Sequence, residues 1–592
     1  MTRPGGAWTA GPLGADPTSL ILLGFGLVLV FFAVRPELWA RLWFARVDPR
    51  PAAILRIGFG LAVAWTLLEY LPRARQLFSD EGLWLPAMAR ARFGEPLRRV
   101  WDPEAGFEHW WSLAYAMSGN FSILHFRSEP WIVFALYGAL MTSLGLMVLG
   151  LWTRCTTVAS WALAAQLYRH NPFFYSSADY VAQIFLFLGM FCRWGEAYSL
   201  DSWRRRRRLV LGGAACLPAV RPIPVWPLRL MALQLTVLYT STGLLKSGPA
   251  WREGSAIYYA LNLDNFYRVP AQGLVTWLQW LGVLPLLTWL TRAWEVGWPL
   301  AIAAALLAGY ESDRRSGVRL AAGPGRRRLS WAIAGAAWAA LVWALALLAP
   351  RLAEQNGLDA DPDRARTLSA AALIVGPGLV AATYRLARRR APRPLRRLLG
   401  GVLPAWLGFG LLLHLGIGIG LNIGTFPQLM MASYACLLTG PGVDRLRAFL
   451  LSRPLGRGEG PRPLCAAPWG LVLAPIHRLR YRVPRERGLV RYHPDELGAR
   501  RAALLRLWDP AGRLTFRADR TIPSDELCVE FPGLNAEVVG GEAGVVLART
   551  LPGLWWLGAL SLVPGLRRPV GGTVLRLLGH GATLPRGSCR IS

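Results

Sequence analysis

The sequence predicts a polytopic α-helical membrane protein of about eleven spans that carries a small α/β domain at its C-terminus. Three observations lead there. Of the 592 residues, 53% are hydrophobic and only 17% charged, too little polar surface for ordinary globular domains. Apolar windows near the roughly 20 residues that cross a bilayer recur as far as residue 443. Beyond a Pro-, Gly- and Arg-rich stretch the pattern shifts to short strand-like and helix-like segments.

In order, the windows lie at about 18–35, 52–71, 131–152, 156–169, 180–195, 227–245, 285–309, 329–349, 368–384, 401–421 and 426–443. The first lacks a basic leader and a small-residue cleavage site, so it reads as a retained span. The stretch 268–284 is assigned to the interface and does not cross. The domains that follow are an extra N-terminal span and loop (1–46), the main membrane domain (47–445), a linker (446–485) and the C-terminal domain (486–592). In the last, 488–492 and 513–517 read as strands and 498–508 as a helix, with apolar segments at 551–566 and 574–580.

A net charge of +31 raises nucleic acid as a partner, but the arginines are placed as topology signals. They crowd the loops after the first, fifth, seventh and ninth windows, as in Arg204 to Arg208 and Arg388 to Arg390. Alternating spans put all four loops on one side, the cytoplasmic side by the positive-inside rule. The loop 350–367 on the other side carries Glu354, Asp359, Asp361 and Asp363. The expectation is therefore a bilayer protein of the plasma membrane, N-terminus outside, C-terminal domain cytoplasmic, with no nucleic-acid partner. The seven cysteines are scattered without paired spacing, so neither a disulfide framework nor a metal site is expected.

One feature of the composition points to chemistry. Of the 66 basic residues 65 are arginine, and the single lysine, Lys246, ends an apolar run. Arginine stays charged in essentially any protein environment, whereas a desolvated lysine can lose its proton and act as a base or nucleophile. The alternative is a G+C-rich coding sequence in which one lysine codon survived. Other ionisable residues at membrane depth are Arg56, Glu69, Arg169, His170, Asp179, Glu295 and His414; each either serves a site or is paired or interfacial. His414 and Asn422 are two turns apart on one helix face, and Gly416, Gly418, Gly420 and Gly424 admit either a ligand or tight helix packing.

The segments VDPRPAAILRIGFG (47–60), GLWTR (150–154), RHNPFFYSSADY (169–180), YSLD (198–201), YTSTGLLKSGPAWREGSAIYYAL (239–261) and HLGIGIGLNIGTFPQLMMASYACLL (414–438) carry a resemblance. In this order they resemble the vitamin K-dependent gamma-carboxylase family, and more closely its bacterial relatives, the horizontally transferred transmembrane (HTTM) domain proteins. The resemblance covers about 47–310 and 401–443 and is strongest over Gly243 to Gly254, making 311–400 an insertion with two spans. It implies that Lys246 deprotonates a reduced quinone resembling vitamin K hydroquinone, that O2 converts the anion into a stronger base, and that CO2 adds to a glutamyl carbanion. His414 and Asp179 are the implied assistants, and Trp251, Gly254, Asn422 and Arg56 the implied cofactor-binding residues. The chain departs from the animal pattern at Ser176 to Asp179, where that family has Asn-His, and it lacks the large lumenal region that binds protein substrate.

The C-terminal segments, LPGLWWL at 551–557 above all, resemble the thiol-disulfide oxidoreductase DCC family, which is thioredoxin-like. Glu496 and Ala499 stand where its two cysteines would fall, and a dithiol cannot cycle without thiols, so a redox-dead domain kept for partner contact or stability is expected. The alternative to a quinol enzyme is a non-catalytic membrane protein binding lipid or a partner, with Lys246 paired to lipid phosphate or to a carboxylate such as Glu253.

Overall fold

The computed structural model describes residues 17–577 except 90–120, 172, 174–175, 212–219, 247, 269, 316–322, 356–392, 452–487 and several short stretches between 510 and 564. The predicted span at 368–384 lies outside the described residues. Among those described, four helices are long and apolar enough to cross a membrane: Arg50–Phe78, Pro130–Leu149, Trp226–Leu245 and Gly401–Gly420. The number rises to six if each of two bent pairs counts as one span, Ser19–Val34 with Pro36–Phe44 (98°) and Gln272–Trp280 with Val283–Val296 (79°). The second bend turns Gln272–Trp280, in the stretch expected not to cross, away from the helix that follows.

Prolines and glycines end or divide several of the predicted windows. Pro36 pushes Arg35 out of helical geometry (φ −126°, ψ 60°) and starts a new helix. The 285–309 window is two helices, Val283–Val296 and Trp298–Arg315, separated at Gly297. The 426–443 window breaks into Phe426–Ser433, a 3₁₀ turn at Tyr434–Leu437 and Gly440–Leu451, with the Gly-Pro-Gly run at 440–442 opening the last helix.

The chain forms two compact units that interleave in sequence: one of residues 1–46 and 224–434, the other of 47–223 and 435–592. In the first, Gly24 lets Pro17–Val34 lie against Leu341 of the Pro324–Gln355 helix, since a Cβ there would sit 2.7 Å from that side chain. Trp298–Arg315 packs on Arg393–Gly420, and Trp294 donates its indole N–H to the Trp406 carbonyl at 2.9 Å.

The second unit is built round a buried arginine. Arg56 donates to the carbonyls of Tyr198 (2.5 Å), Trp194 (2.9 Å) and Val148 (3.4 Å), tying the 194–198 turn to the end of the Pro130–Leu149 helix. Gly150, at φ +71°, is required beside it, because a Cβ would lie 2.8 Å from the guanidinium. Asp201 then caps the Thr153–His170 helix, accepting from the Trp152 N–H (2.9 Å), the Thr153 N–H (2.8 Å) and the Thr153 hydroxyl (2.7 Å). Burial pushes the Asp201 carboxyl up, but the Thr153 and Trp152 donors outweigh it and hold the group below the ordinary aspartate range.

The C-terminal part of this unit is a four-stranded sheet of order β2-β1-β3-β4, with β1 Gly488–Tyr492, β2 Leu514–Ala518, β3 Leu527–Phe531 and β4 Ala536–Val539. The Glu496–Trp508 helix joins β1 to parallel β2, while β3 runs antiparallel to both β1 and β4. Val490, Leu505, Val529, Leu547 and Val574 form its core. A second face of the same helix packs Ala503, Leu504 and Leu507 on Val210, and Trp508 edge-on to Trp203 at 5.2 Å, docking the sheet on the Leu200–Leu211 helix. Across the sheet, Arg491 bridges Asp519 (3.1 Å) and Glu530 (2.6 Å).

Asp201→Ala is expected to lower the stability of the second unit by about 1–2 kcal/mol, the usual loss for a multiply bonded cap, read from the shift in chemical unfolding midpoint. The Thr521 hydroxyl and N–H, then Arg491, hold Asp519 at about 2, below its unfolded value of 3.8. Its contribution is therefore complete above about pH 4 and disappears as pH falls through about 2. Protection of the amides at 488–492 and 514–518, taken relative to the intrinsic exchange rate at each pH, should fall across that window in the native chain, and Asp519→Asn should flatten the dependence.

Candidate functional site

Lys246 is the C-cap of the Trp226–Leu245 helix, which stops there because Pro249 begins a separate short turn, Pro249–Arg252. Its Nζ lies 2.6 Å from Oε2 of Glu295 on the Val283–Val296 helix, with side-chain exposures of 23% and 10%. The partner is thus Glu295 and not Glu253, which is exposed in the turn after Arg252. Gly243 makes the approach possible: a Cβ there would sit 2.8 Å from the Glu295 Cβ and 2.9 Å from the Val296 nitrogen. The Nζ also lies 5.3 Å from the centre of the Trp251 ring, a cation–π contact.

The loop that carries Trp251 is fastened to the glutamate's helix. Gly254 is left-handed (φ +81°), and a Cβ on it would lie 2.7 Å from Pro285. Thr288 donates to the Gly254 carbonyl at 3.2 Å, and the Trp289 indole to the Arg252 carbonyl at 3.1 Å. Trp251 and Gly254, both expected at a cofactor site, thus lie beside the lysine.

Two turns before Lys246 on the same helix, Tyr239 enters a buried polar cluster. Its hydroxyl is 2.7 Å from that of Tyr434 and 3.3 Å from Nε2 of His414. His414 Nδ1 is 2.7 Å from the Gly410 carbonyl oxygen and 3.3 Å from the Tyr434 hydroxyl. A carbonyl only accepts, so Nδ1 carries the proton and Nε2 is the acceptor. Trp298 stacks on Tyr239 (4.7 Å, 9°), and Trp294 lies edge-on to it at 4.8 Å. Glu295, next to Trp294 in sequence, is within electrostatic reach of both phenols. Gly410 leaves room for this arrangement, since a Cβ there would lie 2.7 Å from the Tyr434 hydroxyl oxygen.

The remaining sequence-derived candidates make other contacts. Asn422 donates its main-chain N–H to the Phe266 carbonyl, part of a backbone join in which Arg268 donates to the Gly420 carbonyl at 3.0 Å. Of its neighbouring glycines, a Cβ added at Gly420 would lie 3.2 Å from Leu261 and one at Gly418 in ordinary contact with Pro427, while one at Gly416 would meet open space, so tight packing is local. Asp179 and Arg56 belong to the other unit. Asp179 closes a capping box on the Ser177–Phe191 helix, its Oδ2 accepting from the Ser176 N–H (2.8 Å) and hydroxyl (2.7 Å). Arg56 is the carbonyl-bound staple already described. His170, also in that unit, lies beside His125 with ring centroids 5.6 Å apart, a pairing that no spacing in the sequence announced.

Among the described residues no group of three or more His, Cys, Asp or Glu is arranged to hold a metal ion. Glu295 stood out in the sequence as an intramembrane carboxylate, but its pairing was not legible; Tyr239 and Tyr434 carried no signal among 16 tyrosines. No family model, curated protein or solved structure matches the chain.

The chain's single side-chain amine gives a direct check on the pair. Acylation of Lys246 by an amine-specific reagent, read by peptide mass spectrometry, should be slow in the native protein. It should accelerate in Glu295→Gln, which releases the amine, and in Gly243→Val, which forces the two helices apart at a cost of about 1–3 kcal/mol.

Proposed function

We propose that this chain is a bacterial plasma-membrane protein of the vitamin K-dependent gamma-carboxylase-like, HTTM class, N-terminus outside, whose Lys246–Glu295 pair deprotonates a lipid-soluble quinol. The observation that carries the reading is that the only lysine meets a carboxylate at 2.6 Å beside an indole face. An amine and a carboxylate at this distance exchange a proton, which no arginine pair does at accessible pH.

The residues present suit a quinol. The side chains of Leu244 and Leu245 are 60% and 68% exposed next to the lysine, so an apolar molecule can arrive from the lipid side. Trp251 supplies a flat wall, and the pair supplies an acceptor and a counter-charge at one point. Once bound, a quinol would bring an acidic hydroxyl and the capacity to react with O2, the source of base strength for adding CO2 to a carbon acid. The chain's own part is to take up that proton. Lys246 passes its proton to Oε2 of Glu295 and accepts another at Nζ, so an ammonium faces the newly formed anion while the carboxyl holds the extra proton.

The proposal extends to the C-terminal domain. Its crossover from β1 through Glu496–Trp508 to parallel β2 supports a thioredoxin-like fold. At the start of that helix, Asp495 accepts from the Gly498 N–H at 2.7 Å, and Glu496 and Ala499 fill the positions of a dithiol. A domain of this form binds a partner or steadies the Leu200–Leu211 helix instead of cycling electrons.

A second reading, a non-catalytic lipid- or partner-binding protein, draws on the same ion pair as a purely structural clamp. Lys246→Arg separates the two. A clamp tolerates arginine at near-native stability, whereas proton exchange is lost. In lipid nanodiscs loaded with a long-chain naphthoquinol, Lys246→Arg and Lys246→Ala should both abolish protein-dependent oxygen consumption. Full activity in the arginine variant would leave only the structural reading.

A further inference from the structure

We propose that the Leu200–Leu211 helix is an interfacial anchor whose Arg204 and Arg208 bind the headgroups of anionic phospholipid. The inference rests on the reading of the chain as one that spans a bilayer and is independent of the chemistry proposed at Lys246.

The helix starts where a spanning helix ends. Asp201, in its first turn, donates its main-chain N–H to the Gly150 carbonyl at 2.9 Å, and Gly150 closes the Pro130–Leu149 helix, one of the four able to cross a membrane. The arginines that follow therefore emerge at the level where an apolar helix leaves the hydrocarbon. Two exposed aromatics mark the same level. Trp152 is 64% and Tyr198 45% exposed, and both have left-handed backbones (φ +48° and +45°), which is uncommon for large side chains. Asp201 holds the first through the Trp152 N–H and Arg56 the second through the Tyr198 carbonyl, so fixed bonds offset the strain. Rings presented in this way suit the headgroup region, where Trp and Tyr concentrate.

The helix has two distinct faces. Ser202 and Val210 are buried, and Val210 and Trp203 meet the Glu496–Trp508 helix of the sheet domain, within the same compact unit. Leu200, Arg204, Arg208, Leu209 and Leu211 are exposed. At about 100° per residue all of these except Leu209 fall within an arc of about 80°, on the side away from the packed face. A leucine thus stands at either end of the stripe with two arginines between, so that apolar side chains reach acyl chains while guanidinium groups stay at phosphate depth.

The nearby carboxylates are engaged elsewhere. Glu196 meets Arg205 at 2.7 Å, and Asp201, close enough to Arg204 to feel its charge, spends its oxygens on Thr153 and Trp152. Among the described residues Arg204 and Arg208 form no salt bridge, and each can take two oxygens of a phosphate. Nucleic acid would use these charges but neither the leucines nor the two aromatics, so the stripe fits a lipid surface.

The test places the full chain in nanodiscs of phosphatidylcholine with a minority of phosphatidylglycerol, with photoreactive benzoylphenylalanine in place of Leu211. Lipids attached on irradiation are identified by mass spectrometry. Adducts should carry phosphatidylglycerol at about five times its share of the disc, the preference that one basic residue gives at a charged surface. Arg204→Gln with Arg208→Gln should return the ratio most of the way to the disc's own composition, whereas Arg204→Lys with Arg208→Lys keeps the charge and most of the enrichment. Arg326→Gln with Arg327→Gln, at exposed positions in the other unit, removes the same net charge and should change nothing.

Enrichment that survives the glutamine pair, or that is lost equally in the lysine pair or the distant control, would overturn the site. Adducts to retained nucleic acid in place of lipid would do the same. Both leaflets of a disc have one composition, so the result does not depend on which side the helix faces. A native chain that enters the discs and crosslinks lipid at the bulk ratio overturns the lipid site alone; a chain that does not enter them overturns the bilayer reading as well.

Discussion

An amine and a carboxylate brought together where the protein meets apolar surroundings is the contact on which the site's architecture depends. Burying either charge alone costs several kcal/mol, so the pair holds only if the two helices carrying it approach closely and stay there. Gly243 permits the approach, and the Gly254 turn with its bonds from Thr288 and Trp289 maintains it. Lys246 stands at the end of its helix, where the side chain can reach across while the backbone turns away at Pro249. The cluster of Tyr239, Tyr434 and His414 sits two turns deeper on the same helix, behind indole walls. A residue added at Gly243 or Gly410 would disturb the pair and the cluster in turn, which gives both glycines a reason that helix propensity alone would not.

Much of the architecture was legible because it depends on local pattern. Hydropathy located the helices of 17–34, 130–149, 226–245 and 401–420 to within a few residues, and alternation with turn residues placed β1, β2 and the helix between them. The helix breaks were less legible, because a window average does not register one Pro36 or Gly297 that divides an apolar run into two helices. The interleaving of the two compact units, in which 435–592 falls with 47–223, was not legible either. That grouping depends on which helix faces pack, such as Trp203 on Trp508, and no period in the sequence encodes it.

The site divides in the same way. Lys246 was legible as a compositional singularity, and His414 as a rare ionisable group at membrane depth. Their partners are 49 and 175 residues from Lys246 and His414 respectively, in Glu295 and Tyr239, and such pairings are set by helix packing. Asp179 has a local role that could be read directly from the sequence. An acid at the start of a helix three residues after a serine is a capping-box signature, and the structure shows that box.

Two half-buried or buried cations show why the residue types differ. Arg56 is wholly buried and bound by three carbonyls, groups that accept hydrogen bonds but do not take the proton, so its charge is fixed and its work is to hold a turn. Lys246 is bound by a carboxylate, a group that can take its proton. Exchanging the two residue types would spoil both positions. A lysine at 56 lacks the fork of donors that reaches carbonyls in three directions, and an arginine at 246 cannot release its proton to Glu295. Described arginines such as Arg50 and Arg205 also meet carboxylates, so what sets Lys246 apart is the cation itself, the one side chain of the 66 that can release its proton to such a partner.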